Sequence, residues 1–302
     1  MDPVLLVASI MVSATPILLA AIGEMVVEKA GVLNLGVEGM MITGAVIGFA
    51  VAVSTGSPVL GFAGAALGAA VLSLSFGFLT QYLLSNQVAT GLGLTLVGLG
   101  LSALVGASFE GVRAPGPGKL WIPGLADIPV LGPMLFRHDF MVYVSLLLVA
   151  GVWAFLKYTR AGLILRAVGE DHESAHALGY KVVRVRMAAI FFGGACAGLG
   201  GAYVSLVRVP QWTEGMTAGA GWIALAIVVF ASWRPLGVLI GAYLFGGVTV
   251  LQLNLQAAGT NVPVELLSMS PYLITIIVLV VISARGVHGA PGSLGRSFHA
   301  SA

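Results

Sequence analysis

The chain has 302 residues, 58% of them hydrophobic and 9% charged, with a formal net charge of +2 at pH 7 and a mean hydropathy of +1.03. A soluble domain carries about 25% charged residues, so a water-soluble fold of this size is excluded, and so small a net charge gives no footing for nucleic-acid binding. Lipid is the solvent for most of this protein.

A membrane-crossing helix needs about 20 apolar residues. Taken in chain order, apolar stretches predict spans near 4–22, 36–54, 59–84, 88–106, 139–157, 188–207, 219–233, 235–255 and 268–284. The fold class is therefore an all-α polytopic membrane protein of about nine transmembrane helices, one interrupted near the N-terminus, a single transmembrane domain over 1–302. The start, MDPVLL, has no basic run and reads as a retained first span rather than a cleaved signal. The 42 glycines are roughly twice the usual share of about 7%. Small-residue steps at Gly44/Gly48, Gly64/Gly68, Gly194/Gly198 and Gly237/Gly241 mark candidate close helix contacts. Cys196, the only cysteine, lies among small residues and can form no internal disulfide.

Basic residues orient the spans. With the C-terminus inside, the inner side holds Lys29, Lys157, Arg160, Arg166, Lys181, Arg184, Arg186, Arg234, Arg285 and Arg296, and the outer side only Arg113, Lys119, Arg137 and Arg208. This predicts the N-terminus outside, the C-terminus and tail 285–302 in the cytoplasm, a Pro- and Gly-rich outer loop at 107–138 and a charged inner segment at 158–187. The outer loop, with Trp121, is placed to receive an external partner.

Near the N-terminus, residues 23–41 read GEMVVEKAGVLNLGVEGMM, where glycines 31, 36 and 39 bracket Asn34 and Glu38. A charge at the bilayer centre costs about 2.5–3.5 kcal/mol on insertion scales, so an acid and broken backbone there mark either a cavity lining or a structural pairing at the interface. The inner turn before the fourth span supplies Ser85, Asn86, Gln87 and Thr90, as helix caps or as contacts to the interrupted segment. Asn34, Glu38, Asn86, Gln87 and Thr90 are the candidate path or gate residues, with Gln252 and Asn254 as outliers.

The inner segment contains RAVGEDHESAHALGYKVVRVR. Glu170, Asp171 and Glu173 are expected in the first turn of a short helix, where carboxylates complement the positive dipole end. Ala175, Ala177 and Leu178 offer an apolar face and Gly179 fits a left-handed C′ position. The same stretch matches H-E-x-x-H through His172, Glu173 and His176, the pattern of a zinc metalloprotease. Against that reading, no His or carboxylate follows between 177 and 213 as a third ligand.

In this order, GVLNLGVEGMMITGA, SNQVATGLGL, RAVGEDHESAHALGY and GAGWIALAIVVFASWRPLGVLIGAYLFG resemble the ABC importer permeases of the branched-chain amino acid, simple-sugar and nucleoside group, nearest the nucleoside-type branch. The likeness covers about residues 15 to 284. It implies a cytoplasmic coupling helix, docking into an ATPase subunit through Glu170, Asp171, Ser174, Ala175, Leu178, Gly179 and Tyr180, with His172 and His176 as surface residues that need no metal. It implies a second permease subunit, paralogous or identical, a substrate-binding lipoprotein, and a place in the bacterial cytoplasmic membrane. The solute it implies is a nucleoside first, then a simple sugar, with branched-chain amino acids as an alternative. Gly116-Pro117-Gly118-Lys119 lacks the upstream Gly and following Ser/Thr of a phosphate loop, so ATP and Mg are assigned to the separate ATPase, and neither a catalytic residue nor a metal or cofactor to this chain. An ion-coupled carrier is the remaining transport alternative, although such carriers show discontinuous helices in both halves and only the N-terminal half shows one here.

Overall fold

The computed structural model describes residues 3–121, 123–259, 263–284 and 289–299; Met1, Asp2 and Arg285, used above, lie outside them. Among the described residues there is no strand, only two isolated bridges, Glu110 with Trp212 and Arg113 with Gln211. The helices are α1 (Pro3–Lys29), α2 (Val37–Thr55), α3 (Pro58–Gln81), α4 (Gln87–Gly106), α5 (Leu131–Leu135), α6 (Phe140–Tyr158), α7 (Arg160–Glu170), α8 (His172–Ala177), α9 (Val182–Tyr203, continued by a π turn to Arg208), α10 (Ala220–Phe230), α11 (Pro235–Ala257) and α12 (Val264–Ala284). Among the described residues seven are long and apolar enough to cross a membrane: α1, α2, α3, α4, α6, α9 with its π turn, and α11. The remaining two expected spans fall on α10 and α12.

Helices α1, α2, α3 and α9 form the centre. Their contacts explain the glycine content, because helices in lipid associate through close backbone approach. A Cβ on Gly44 would lie 2.3 Å from Gly198 Cα, and one on Gly198 would lie 2.3 Å from Ala65 O. All four small-residue steps lie against neighbouring helices: Gly48 meets Ala202, Gly64 and Gly68 meet Val51 and Ile47, Gly194 meets Ser73, and Gly237 and Gly241 meet Ala231 and Phe230.

Three expectations need correction. Helix α1 does not stop near 22 but continues through Glu24 and Glu28 to Lys29. Gly23 lies within it as a packing surface, where a Cβ would fall 2.4 Å from Cys196 Cβ. The interruption is confined to 30–36, between α1 and α2. The inner segment forms two helices rather than one, so Glu170 ends α7 while Asp171 caps α8. Finally, Arg186 is not a surface charge: α9 begins at Val182 and buries Arg186 completely.

If close glycine contact holds the centre, Gly198→Val overpacks it and costs about 1–3 kcal/mol, read as a lower thermal unfolding midpoint in detergent. Gly93→Val, where a Cβ would meet nothing within 4 Å, should leave the midpoint in place.

Candidate functional site

Two segments of the bundle are part irregular backbone and part helix. In the first, α1 ends at Ala30–Gly31, where Gly31 adopts φ +85°. The chain then rises without helix to Gly36, whose N–H donates to Asn34 Oδ1 at 2.9 Å, and α2 begins at Val37. Gly39 sits directly on Thr95 and Gly98, the middle of α4, so α2 starts well inside the bundle. In the second, the chain leaves the π turn at Arg208, pairs with the 107–138 loop through Ala114 N–H to Pro210 O (3.1 Å), and descends to Gly219 before α10 begins. At about 1.5 Å per residue, the 11 residues of α10 reach only half of a hydrocarbon layer about 30 Å thick.

The two interruptions meet at Glu38. This residue is 4% exposed and lies in the first turn of α2. Its Oε1 accepts from the Thr217 hydroxyl and from Gly219 N–H at 2.9 Å, and its Oε2 accepts from Gly221 N–H at 2.7 Å. One carboxylate thus caps the N-terminus of α10 from its position at the N-terminus of α2. Helix N-termini carry unpaired N–H groups and partial positive charge; the carboxylate hydrogen-bonds those of α10 and stands in the first turn of α2. The sequence showed only the first interruption; the second, in the C-terminal half, removes the asymmetry that counted against an ion-coupled carrier.

Asn34 (1% exposed) and Gln87 (3% exposed) border the first interruption: Gln87 Oε1 accepts from Leu33 N–H at 2.8 Å. Glu24, buried inside α1, lies beside Asn34. Glu24 Oε1 and Gln87 Nε2 are both buried without a hydrogen-bond partner among the described residues. Asn86 stands apart and caps α4, accepting from Ala89 N–H at 3.0 Å, while the Thr90 hydroxyl pairs with Ser85 at 2.8 Å. Gln252 reaches Ser268 at 3.5 Å and Asn254 its own helix at Val250 O (2.8 Å), so neither joins the group at Glu38. Sequence reading missed Glu28, which accepts from the Trp233 indole N–H just beyond α10. The i, i+4 spacing of Glu24 and Glu28 in an unbroken run was the available signal.

At the α7–α8 end, Asp171 Oδ1 accepts from Glu173 N–H (3.0 Å) and Ser174 N–H (3.2 Å), and its other oxygen accepts from the Ser174 hydroxyl. The Ser174 hydroxyl, then its N–H, hold the Asp171 carboxyl below the usual carboxylate range. Leu178 is 76% exposed, and Gly179 (φ +88°) and Tyr180 follow it on the surface. Ala175 corrects an expectation, since it is buried against Val168, Val182 and Phe298 and does not face outward. His172 corrects another: it is buried, its ring 5.4 Å from that of Phe298 and its Nδ1 3.2 Å from Arg186 Nη2. Only His176 is exposed. Among the described residues no group of three or more His, Cys, Asp or Glu side chains converges to hold a metal.

Burial, then the positive charge of Arg186, push the His172 imidazole below its ordinary value of 6.5; Glu173 and Asp171 oppose the shift and Arg296 adds to it. A base whose folded pKa is depressed contributes stability above its ordinary value and loses it as pH falls from there toward the folded value. The unfolding midpoint should therefore drop on acidification below about pH 6.5, and His172→Asn, which keeps an acceptor for Arg186 without titrating, should lose that component.

Along residues 6–282 the chain matches the family described as branched-chain amino acid transport system / permease component. It is 42% identical to TsgC13 of Haloferax volcanii, named as a candidate glucose ABC transporter permease, over 95% of each chain. It is 31% identical to the guanosine ABC transporter permease NupQ of Bacillus subtilis, over 91% of each chain. It is also 30% identical to the nucleoside ABC transporter permease NupC of Lactococcus lactis subsp. cremoris, over 97% of this chain and 96% of that one. No solved structure matches it significantly. With seven helices long and apolar enough to cross a membrane among the described residues and a family match from residue 6 to 282, the chain belongs to the permease components of the branched-chain amino acid transport type and is a multi-pass permease subunit of an ABC importer.

Proposed function

We propose that this subunit carries an uncharged, hydroxyl-rich solute inward, a nucleoside in the first reading, through a gate formed where the two interrupted crossings meet. The observation that carries the gate is Glu38. Both its oxygens are occupied by Thr217, Gly219 and Gly221, so it acts as the latch between crossings rather than as a ligand for solute. Irregular backbone is tolerated at membrane depth where it is enclosed by protein or lines a passage, and transporters commonly place such breaks at the bilayer midplane. Asn34 and the unpartnered atoms of Glu24 and Gln87 border the break and are the groups able to exchange hydrogen bonds with a passing solute. Asn86 and Thr90 serve the inner turn of α4 instead.

Nine crossings account for the bundle when the 209–219 descent and α10 together count as one, with the N-terminus outside and α7, α8 and the tail in the cytoplasm. Helix α8 is then the coupling helix. Its outward residues, Asp171, Glu173, Ser174, Leu178, Gly179 and Tyr180, enter a groove of a separate ATPase subunit that binds ATP and Mg, while Ala175 packs behind α8 and the exposed Glu170 ends α7. A second permease subunit completes the passage, and a binding lipoprotein delivers solute to the face carrying loop 107–138. In that loop Arg137 lies 4.4 Å over the Trp121 ring and donates to Ala126 O at 2.9 Å. Closure of the ATPases favours one bundle state over the other through α8, a ligand-linked population shift. The second solute reading, a simple sugar, rests on the 42% likeness to TsgC13.

Three measurements test these proposals. Glu38→Gln places an amide N–H against a backbone N–H; with a charged hydrogen bond worth about 1.5–3 kcal/mol, uptake in the reconstituted assembly should fall at least about tenfold, and unchanged uptake removes the latch. Leu178→Asp should weaken ATPase co-purification about thirtyfold, the scale of a hot-spot loss near 2 kcal/mol, and normal co-purification removes the coupling assignment. Thermal shifts of the cognate binding protein with guanosine, glucose and leucine separate the solute readings: the nucleoside reading requires the largest shift with guanosine.

A further inference from the structure

Arg186 is the largest fully buried side chain among the described residues, and it lies where four separate parts of the chain converge. Its Nε donates to Ala30 O (3.2 Å), at the start of the first interruption. Its Nη1 donates to Gln81 Oε1 (3.3 Å), at the end of α3, and to Arg296 O (3.1 Å), in the C-terminal tail. Its Nη2 meets His172 Nδ1 (3.2 Å), the first residue of α8. No carboxylate stands among these partners. A guanidinium whose donors are spent on backbone carbonyls, an amide and a neutral ring is a geometric fastener rather than half of an ion pair.

The tail completes the junction. Ser293 N–H donates to Gly169 O (2.9 Å), and the Ser293 hydroxyl accepts from His172 N–H (3.1 Å). Gly295 N–H donates to Gly31 O (3.2 Å). Phe298, 6% exposed, sets its ring 5.4 Å from His172 and 5.2 Å from His176. Close backbone approach tightens the same place: a Cβ on Gly169 would fall 2.0 Å from Lys29 O, and one on Gly31 would fall 2.9 Å from Arg186 Nη2. The α7–α8 junction, the tail and the lower lip of the first interruption are therefore fastened to one another with little slack, and densely packed groups transmit displacement instead of absorbing it.

We propose that Arg186, with the tail segment 293–298 laid across it, is the positioning element that transmits movement of α8 to the 30–36 interruption. This rests on the reading of α8 as the coupling helix, and deepens it: α8 reaches the gate through its own buried root and not through the full length of a transmembrane helix. Displacing α8 moves His172, Arg186 follows, and the Ala30 and Gly31 carbonyls are carried with the guanidinium and with Gly295.

The test uses the full permease assembled with its ATPase. The native Cys196 is buried, so a single Leu35→Cys reporter in the interruption can be read by maleimide labelling with and without a non-hydrolysable ATP analogue. The analogue should change the labelling rate in the otherwise native protein. Arg186→Met should shrink that change about threefold or more, the scale of coupling losses of 0.5–2 kcal/mol, while the ATPase still co-purifies. Phe298→Ala, which deletes ring contacts without orphaning a donor, should shrink it in the same direction and serves where Arg186→Met does not fold. An analogue-dependent change that survives intact in both variants, or that is absent from the native background, overturns the proposal. Failure of Leu178→Asp to release the ATPase would instead overturn the identity of the coupling helix.

Discussion

A single carboxylate from α2 closes the N-terminus of α10, and the architecture of the centre follows from that bond set. In a hydrocarbon interior each unpaired backbone N–H costs free energy that water would otherwise offset, so a helix cannot begin at mid-depth unless something caps it. Glu38 supplies the cap, and the N–H groups of Gly219 and Gly221 with the Thr217 hydroxyl in turn repay its own desolvation. A carboxylate that would be costly alone becomes the group on which two buried helix starts meet. A Cβ at Gly221 would lie 2.5 Å from Glu38 Cα; the two helix starts touch through their backbones, so the cap leaves no space between them.

The periphery follows a different rule. Helices α4 and α11 present long exposed apolar surfaces, including Leu96, Leu104, Ile240 and Leu251, and their share of buried positions is low beside that of α2 and α9. These outer faces suit lipid or another apolar subunit, while the centre is held by glycine contact and by a few fully satisfied polar groups. One of these is Tyr203, whose hydroxyl donates to Asp139 Oδ2 at 2.8 Å, joining the end of α9 to the residue that caps α6. The order is thus concentric: glycine-packed and partly polar within, largely apolar outside.

Much of this was legible in the sequence, since the length and hydropathy of a crossing are local properties: α2, α3, α4 and α6 begin and end within a few residues of where composition put them. Asn34, Glu38 and Gln87 stood out because acids and amides among glycines are conspicuous in an apolar run, and the structure buries all three. What escaped depends on partners distant in the chain. The continuation of α1 past residue 22 escaped because Cys196, on another helix, is what packs against Gly23 there. Residues 209–219 read as an ordinary outer connection because nothing local reveals that Glu38 waits at their end. The burial of His172, expected at the surface, and of Arg186, counted among the inner-side basic residues, escaped because the Phe298 ring and the Arg296 carbonyl against them come from the tail.

The turn after α10 carries a consequence of its own. Ser232 and Trp233 both adopt left-handed backbone, φ 51° and 53°, a conformation that costs a non-glycine residue of order 1 kcal/mol or more. The Trp233 indole bond to Glu28 on α1 offsets that cost. With Glu38 at its other end, α10 hangs like a rung between two acids contributed by the first forty residues. The rung cannot tilt without dragging both uprights, so the N-terminal and C-terminal portions of the chain, separate in sequence, are mechanically one part.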